Sequence, residues 1–342
     1  MSKDTFNEAN YEQAIIELFT QQLGYEYIYG PDIVRDYTEP LFLDRLQQSL
    51  LAINPALPAV AIQEAIDKIR QIDTGSLVQR NEVFTDYLQN GVDVSYFDGE
   101  EQHSACVRLI DYDHPLHNNF VVANQWSIEE HSVRRADIIV FINGLPLVVM
   151  ELKSPSRTET NVSEAYAQLR NYMQEIPSLF VYNAFCVMSD LVTSKAGTIT
   201  SGEDRFMEWK TVDGQTEDNH FANFHVLFCG MFEQERLIEI LRDFICFSKE
   251  EKQSAKILAG YHQFYAVRKA ITSVKEATTT NGKGGVFWHT QGSGKSLSMV
   301  FFAKCLQRAL SSPTIVVITD RTDLDNQLFG QFSKCADFLR QV

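Results

Sequence analysis

The sequence predicts an α/β chain in two parts: a mixed sheet flanked by helices over residues 1–250, then the first part of a parallel α/β domain over 251–342. Three observations predict it. The β-branched runs NFVVANQW, ADIIVFI and PLVVMEL crowd residues 119–152, which is strand composition. Amphipathic helical stretches lie on either side of them. Near the C-terminus, an apolar run, a glycine-rich turn and a helical stretch follow one another in the order of a βαβ unit. A length of 342 residues suits about two domains.

Each element follows from local pattern. Residues 5–23 carry Phe6, Ala9, Ala14, Ile15, Leu18 and Phe19 at helical spacing, and Gly24 stops the run. Residues 30–95 read as helices broken at Pro31, Pro40, Pro55, Pro58 and Gly75. The three strands come next, then the helix SEAYAQLRNYMQEI ended by Pro177, then a strand in AFCVMSD. Residues 196–220, rich in Gly, Thr, Asp and Glu, read as an irregular segment, and 232–276 as helical with a boundary near Lys249–Lys252. GGVFWH and TIVVIT are expected strands on either side of a helix from Lys295 to about Leu310.

Composition narrows the function classes. The longest apolar stretch, Ile138–Met150, is interrupted by Asn143, Gly144 and Pro146 and falls short of the ~20 residues of a membrane helix. The N-terminus shows no export or import signal, so a cytoplasmic location is expected, without membrane attachment. The six cysteines have no CxxC pair and no histidine at ligand spacing, and read as reduced thiols. Residues 1–130 hold 7 Lys and Arg against 22 Asp and Glu, which accounts for the whole net charge of −15. That argues against nonspecific coating of nucleic acid but leaves room for a DNA enzyme with a confined basic groove.

The segment ADIIVFINGLPLVVMELK places Asp137 at the start of one strand and Glu151 and Lys153 at the end of the next, joined through Asn143-Gly144, a strong hairpin signal. Parity constrains the loop. A two-residue loop would set Asp137 opposite Met150 and send Glu151 to the other face. A three-residue loop, Asn143-Gly144-Leu145, sets Ile142 opposite Pro146 and Asp137 opposite Glu151, so Asp137, Glu151 and Lys153 line one face. Two carboxylates and an ammonium are costly to bury without compensation, and a divalent cation such as Mg2+ would supply it. A salt bridge at a strand end is the competing reading.

Downstream, Gln168 and Tyr172 lie four apart on one helix face. Upstream, Glu8, Glu12 and Glu17 lie on the first helix. Here the sequence resembles the PD-(D/E)xK nucleases of the RecB-like branch, whose core is helix, hairpin, strand, helix and strand. The resemblance implies that Asp137 and Glu151 bind Mg2+, that Lys153 assists the attacking water, and that Gln168 and Tyr172 support the site and the DNA. Glu12 corresponds best to the N-terminal glutamate, with Glu8 the runner-up.

HTQGSGKS, His289–Ser296, has the setting of a phosphate-binding loop. The backbone N–H groups of Gly292, Ser293, Gly294 and Lys295 would cradle the phosphates of ATP, with Thr290 also in the nucleotide site; Lys295 would neutralise the β and γ phosphates, and Ser296 would hold Mg2+. The usual first glycine is His289 here. With GYHQ, which includes Gln263, and VVITDRTDLDNQ, the loop resembles the first three motifs of superfamily 2 translocases, in which the upstream glutamine reads adenine. Nuclease core and motor in this order resemble the R subunit of type I restriction enzymes. The resemblance implies ATP, Mg2+, double-stranded DNA, and methyltransferase and specificity subunits as partners. Because Val342 follows soon after the third motif, with no D-E-x-H box, second RecA-like domain or arginine finger, the chain is expected to be an N-terminal part of a longer protein with an incomplete motor. A RecB-like repair nuclease-helicase and a non-catalytic docking module are the alternatives.

Overall fold

The computed structural model describes residues 8–153, 162–218, 224–251, 254–311 and 313–340. The expected first helix is α1 (Glu8–Gln21), followed by Gly24 at φ 74°; Phe6 lies outside the described residues. A short strand, β1 (Glu26–Tyr29), precedes α2 (Leu43–Ile53), α3 (Ala59–Arg70) and α4 (Leu77–Asn90). The breaks between these helices fall at the expected prolines and at Gly75. Helix α4 opens with a capping box in which Ser76 and Gln79 satisfy each other's backbone amides. An antiparallel pair, β2 (Val92–Asp98) and β3 (Glu101–Val107), leads to the central strands β4 (Phe120–Glu129), β5 (Val133–Ile142) and β6 (Leu145–Leu152). Helices α5 (Val162–Glu175) and α6 (Pro177–Val181) then cross over to β7 (Phe185–Ser189), with β8 (Ser194–Gly197) and β9 (Met207–Glu208) at the far edge.

These strands form a seven-stranded mixed sheet in the order β1-β4-β5-β6-β7-β8-β9. The β1–β4 and β6–β7 pairs are parallel and the others antiparallel. Apolar side chains fill both faces. Ile138, Val140, Val148 and Met150 pack into the larger core with α1 to α4, while Ile139, Phe141, Val149 and Met188 pack with Ala165, Leu169 and Met173 of α5. A sheet covered on both sides explains why β6 reads as a continuous apolar run rather than an alternating one.

The hairpin differs from expectation in its mechanism and agrees in its result. The turn has two residues, with Asn143 at φ 52° and Gly144 at φ 81°, the double left-handed geometry of a type I′ turn. Ile142 pairs with Leu145 and Phe141 with Pro146, and the register then shifts so that Val140 pairs with Val148 and Ile138 with Met150. Leu147 is the extra residue of a bulge. Pro146 has no N–H to continue the ladder, which favours a bulge beside it. The shift puts Asp137 across from Glu151, the face relation expected from a three-residue loop.

The C-terminal part holds α7 (His225–Phe232), α8 (Gln234–Asp243), β10 (Ile245–Ser248), β11 (Ala255–Leu258), α9 (Tyr261–Thr278), α10 (Lys295–Ala309), α11 (Thr322–Lys334) and α12 (Ala336–Leu339). Residues 245–258 are therefore an antiparallel strand pair, not part of a helix. GGVFWH and TIVVIT are not strands in the structure. Val286, Trp288, Val316 and Ile318 are exposed, and no described strand lies beside either segment. Parallel strands are stable only when neighbouring strands and helices cover them, so β-propensity alone leaves these runs unpaired.

Candidate active site

The site is built where β5 and β6 meet α5. Asp137 is half-buried and Glu151 only 3% exposed. Asp137 Oδ2 accepts the Leu152 backbone N–H at 2.8 Å, which ties it to the neighbouring strand. Lys153 Nζ donates to Glu151 Oε1 at 2.5 Å and to the Leu152 carbonyl at 3.1 Å. Glu151 Oε2 is buried with no hydrogen bond of normal geometry among the described residues, although the Tyr172 hydroxyl is close enough to act on this carboxyl. Burial, and then the charge of Glu151, hold the Asp137 carboxyl well above the usual carboxylate range. Burial likewise raises Glu151, against the pull of Lys153. Lys153 is raised: burial acts to lower it, but the Glu151 and Asp137 carboxylates outweigh that.

An orphaned carboxylate oxygen beside a second carboxylate fits a hard divalent cation, whose ligands are carboxylate oxygens completed by water and phosphate. Asp137 and Glu151 are the residues that would hold it.

Tyr172 is buried against the sheet and donates its hydroxyl hydrogen to the Arg135 carbonyl at 3.0 Å. Gln168 lies beside it, close enough to act on the phenol, and Glu151 pushes that phenol up in the same direction as burial does. The Gln168–Tyr172 face thus turns toward the carboxylates. The N-terminal glutamates divide differently. Glu12 accepts from Asn124 Nδ2 at 2.5 Å and from Gln125 Nε2 at 2.8 Å, so β4 occupies its carboxylate. Glu8, one turn earlier, is the one whose charge acts on Asp137, Glu151 and Lys153.

Asn124 and Gln125 escaped the sequence reading. Gln125 sits at φ 54° between the pairs Asn124–Ile138 and Trp126–Ala136, across from Asp137. The signal was there: a polar Asn-Gln pair interrupting the apolar run of β4.

At the other end of the chain, Gly292 and Gly294 take left-handed φ values of 83° and 78°, and the second sits just before α10. Lys295 Nζ lies over the loop and donates to the His289 and Thr290 carbonyls at 2.9 and 3.1 Å. Ser293 Oγ donates to the Thr290 carbonyl, and Ser296 follows in the first turn. Gln263 lies behind the loop. Its Nε2 donates to the Gly294 carbonyl at 3.1 Å and its Oε1 accepts the Gly260 N–H at 3.0 Å, so its amide braces the loop from α9.

A seven-stranded mixed sheet flanked by helices is the fold of a nuclease-type α/β domain, and a glycine loop at the head of α10 follows it. A family model described as type I restriction enzyme R protein N terminus matches residues 5–205, and one described as SWI2/SNF2 ATPase matches residues 262–341. The type I restriction enzyme HindI endonuclease subunit of Haemophilus influenzae is 39% identical over 98% of this chain and 34% of its own length. A Methanocaldococcus jannaschii relative, provisionally named a type I restriction endonuclease subunit, is 33% identical over 92% of this chain and 33% of its own. The type I restriction enzyme SauMSSORF170P endonuclease subunit of Staphylococcus aureus is 28% identical over 69% and 24%. The chain belongs to the type I restriction enzyme R protein N-terminal family. It spans about a third of the length of the first two relatives. No described helix is long and apolar enough to cross a membrane.

Proposed function

We propose that the chain carries the DNA-cleaving site, and the start of the ATP-dependent translocating motor, of a type I restriction-modification system. The observation that carries this reading is Glu151 Oε2, buried and unpartnered beside Asp137 and Lys153. In this reading residues 1–250 are the nuclease domain and 251–342 open the motor. Mg2+, when bound at Asp137 and Glu151, supplies Lewis-acid polarisation of the scissile phosphate and lowers the pKa of a coordinated water. Lys153, held beside Glu151 by its hydrogen bond to Oε1, would orient the attacking water. Tyr172 and Gln168 hold the α5 face against the carboxylates, and Glu8 faces them from α1. The loop Gly292–Ser296 binds the phosphates of ATP, with Lys295 leaving its two carbonyls for them. The partners are double-stranded DNA and the methyltransferase and specificity subunits, and the site of action is the cytoplasm.

Plasmid cleavage tests the proposal. The chain should nick or cut DNA in Mg2+ and lose that activity in EDTA, in Asp137→Ala and in Lys153→Ala. Cleavage that persists in Asp137→Ala would rule out this site. A wild-type chain that binds its partner subunits yet never cleaves DNA, alone or with them, would favour a docking module.

A further inference from the structure

The segment joining β3 to β4 carries a second cluster of metal-ligand side chains, at the opposite end of the β5–β6 hairpin from Asp137 and Glu151. Asp111 is 4% exposed. Its Oδ1 accepts the backbone N–H groups of Asp113 at 3.2 Å and His114 at 3.0 Å, which fixes the carboxylate. Arg108 Nη1 approaches this same oxygen at 3.9 Å while pairing with Asp113 at 3.2 Å. The other oxygen, Oδ2, faces His114 Nδ1 at 3.6 Å and His117 Nδ1 at 3.4 Å. The imidazoles stack with centroids 4.9 Å apart, and the three ligand atoms all lie within 4.8 Å of one another.

Three donors around one metal at bond lengths of about 2.0–2.1 Å, in tetrahedral arrangement, stand about 3.3 Å apart. The two oxygen–nitrogen separations are already close to that. Both histidines are about two-thirds exposed, at 67% and 65%, so small ring rotations bring the nitrogens together at little cost.

We infer that Asp111, His114 and His117 form a transition-metal site, best suited to Zn2+, with its fourth position open to water. Two imidazoles and one carboxylate select a borderline-soft ion, whereas the all-oxygen pair at Asp137 and Glu151 suits a hard one. The two sites are therefore chemically separate. Asp111 is also part of the clasp that seats the hairpin turn. Its N–H donates to Asn118 Oδ1 at 2.8 Å, and the same Oδ1 accepts from Asn143 Nδ2 at 2.7 Å. Asn143 Nδ2 also donates to the Leu109 carbonyl at 2.9 Å. A bound ion would pin residues 111–117 and steady the seat of the turn, a structural role distant from the cleavage chemistry.

Zn2+ titration of the chelator-treated 342-residue chain against a chromophoric competitor tests this, with Co2+ substituted to read the ligand-field band of a tetrahedral N,N,O site. Asp137→Ala, which lacks the carboxylate pair of the cleavage site, should bind one Zn2+, and wild type in excess Mg2+ should bind one with the same affinity. The double variant His114→Ala/His117→Ala, and Asp111→Asn, which keeps a side-chain oxygen for the backbone amides, should each weaken binding about tenfold or more. Unchanged metal-free melting of the variants separates ligand loss from unfolding. Wild type binding Zn2+ no more tightly than the double variant, or binding lost instead in Asp137→Ala, overturns the assignment.

Discussion

Asp137→Asn should make the metal-free protein more stable, not less. When both are ionised, the Asp137 and Glu151 carboxylates put like charges on one face, about 5 Å apart by cross-strand spacing. At an effective dielectric of about 20 their repulsion is about 3 kcal/mol. Replacing Asp137 by Asn removes it, weakens the Leu152 N–H bond to Oδ2 by about 1 kcal/mol, and gives up an attraction to Lys153 of about 2 kcal/mol at about 8 Å. These contributions nearly cancel, so relief from burying a charge, the largest influence on the Asp137 carboxyl, decides the sign and leaves a gain of about 1 kcal/mol, or about 2 °C in Tm for a chain of this size. Mg2+ should reverse the order. Saturation tenfold above Kd adds about 1.4 kcal/mol to wild type and much less to the variant. The sign of the pH dependence follows from the raised Asp137 and Glu151 carboxyls. A folded pKa above the unfolded one means that stability is greatest below the unfolded value of about 4 and falls as pH rises toward the folded value. The variant's advantage should thus vanish in acid. Differential scanning calorimetry in EDTA and in Mg2+, at pH 4 and pH 8, checks all of this. A variant less stable than wild type in EDTA at pH 8, or one that gains as much from Mg2+, would refute the reasoning.

Gly144→Ala should cost about 3 kcal/mol in urea unfolding, because φ is 81° and an added Cβ would meet Leu46 N at 2.5 Å and the Phe42 carbonyl at 2.7 Å; a loss under about 1 kcal/mol would mean that the turn relaxes. Tyr172→Phe, which removes only the hydroxyl bonded to Arg135 O, should cost about 1 kcal/mol and should lower the DNA-cleavage rate more than that loss of stability explains, as single-turnover cleavage would show. Lys256 is buried with its ammonium on Asn81 Oδ1 and the Asn183 carbonyl, and burial lowers its pKa to about 7. Above that pH the unfolded chain binds the extra proton, so unfolding free energy should rise by up to about 1.4 kcal/mol per pH unit from 7 toward 10, and Lys256→Met should flatten that limb. Lys295→Ala should abolish the ATP-dependent rise in Tm without lowering the nucleotide-free Tm; an unchanged nucleotide response would remove the loop Gly292–Ser296 from phosphate binding.

Local signals in the sequence determined much of this protein. The apolar runs of β4 to β7, the amphipathic helices with their proline and glycine stops, and the order of carboxylates, lysine, Gln168 and Tyr172 are properties of neighbouring residues, and the structure keeps them. Tertiary structure decided what depends on partners far along the chain. The face shared by Asp137 and Glu151 is set by a bulge at Leu147 next to a proline with no N–H, a detail that strand periodicity cannot register. The different surroundings of Glu8 and Glu12 are set by β4, whose Asn124 and Gln125 take up the Glu12 carboxylate. GGVFWH and TIVVIT have the composition of strands but no described strand beside them, and residues 245–258, which read as helix, pair as strands. Composition supplies a propensity for extended backbone, whereas pairing needs an edge to bond to, and that edge exists only once the chain has folded.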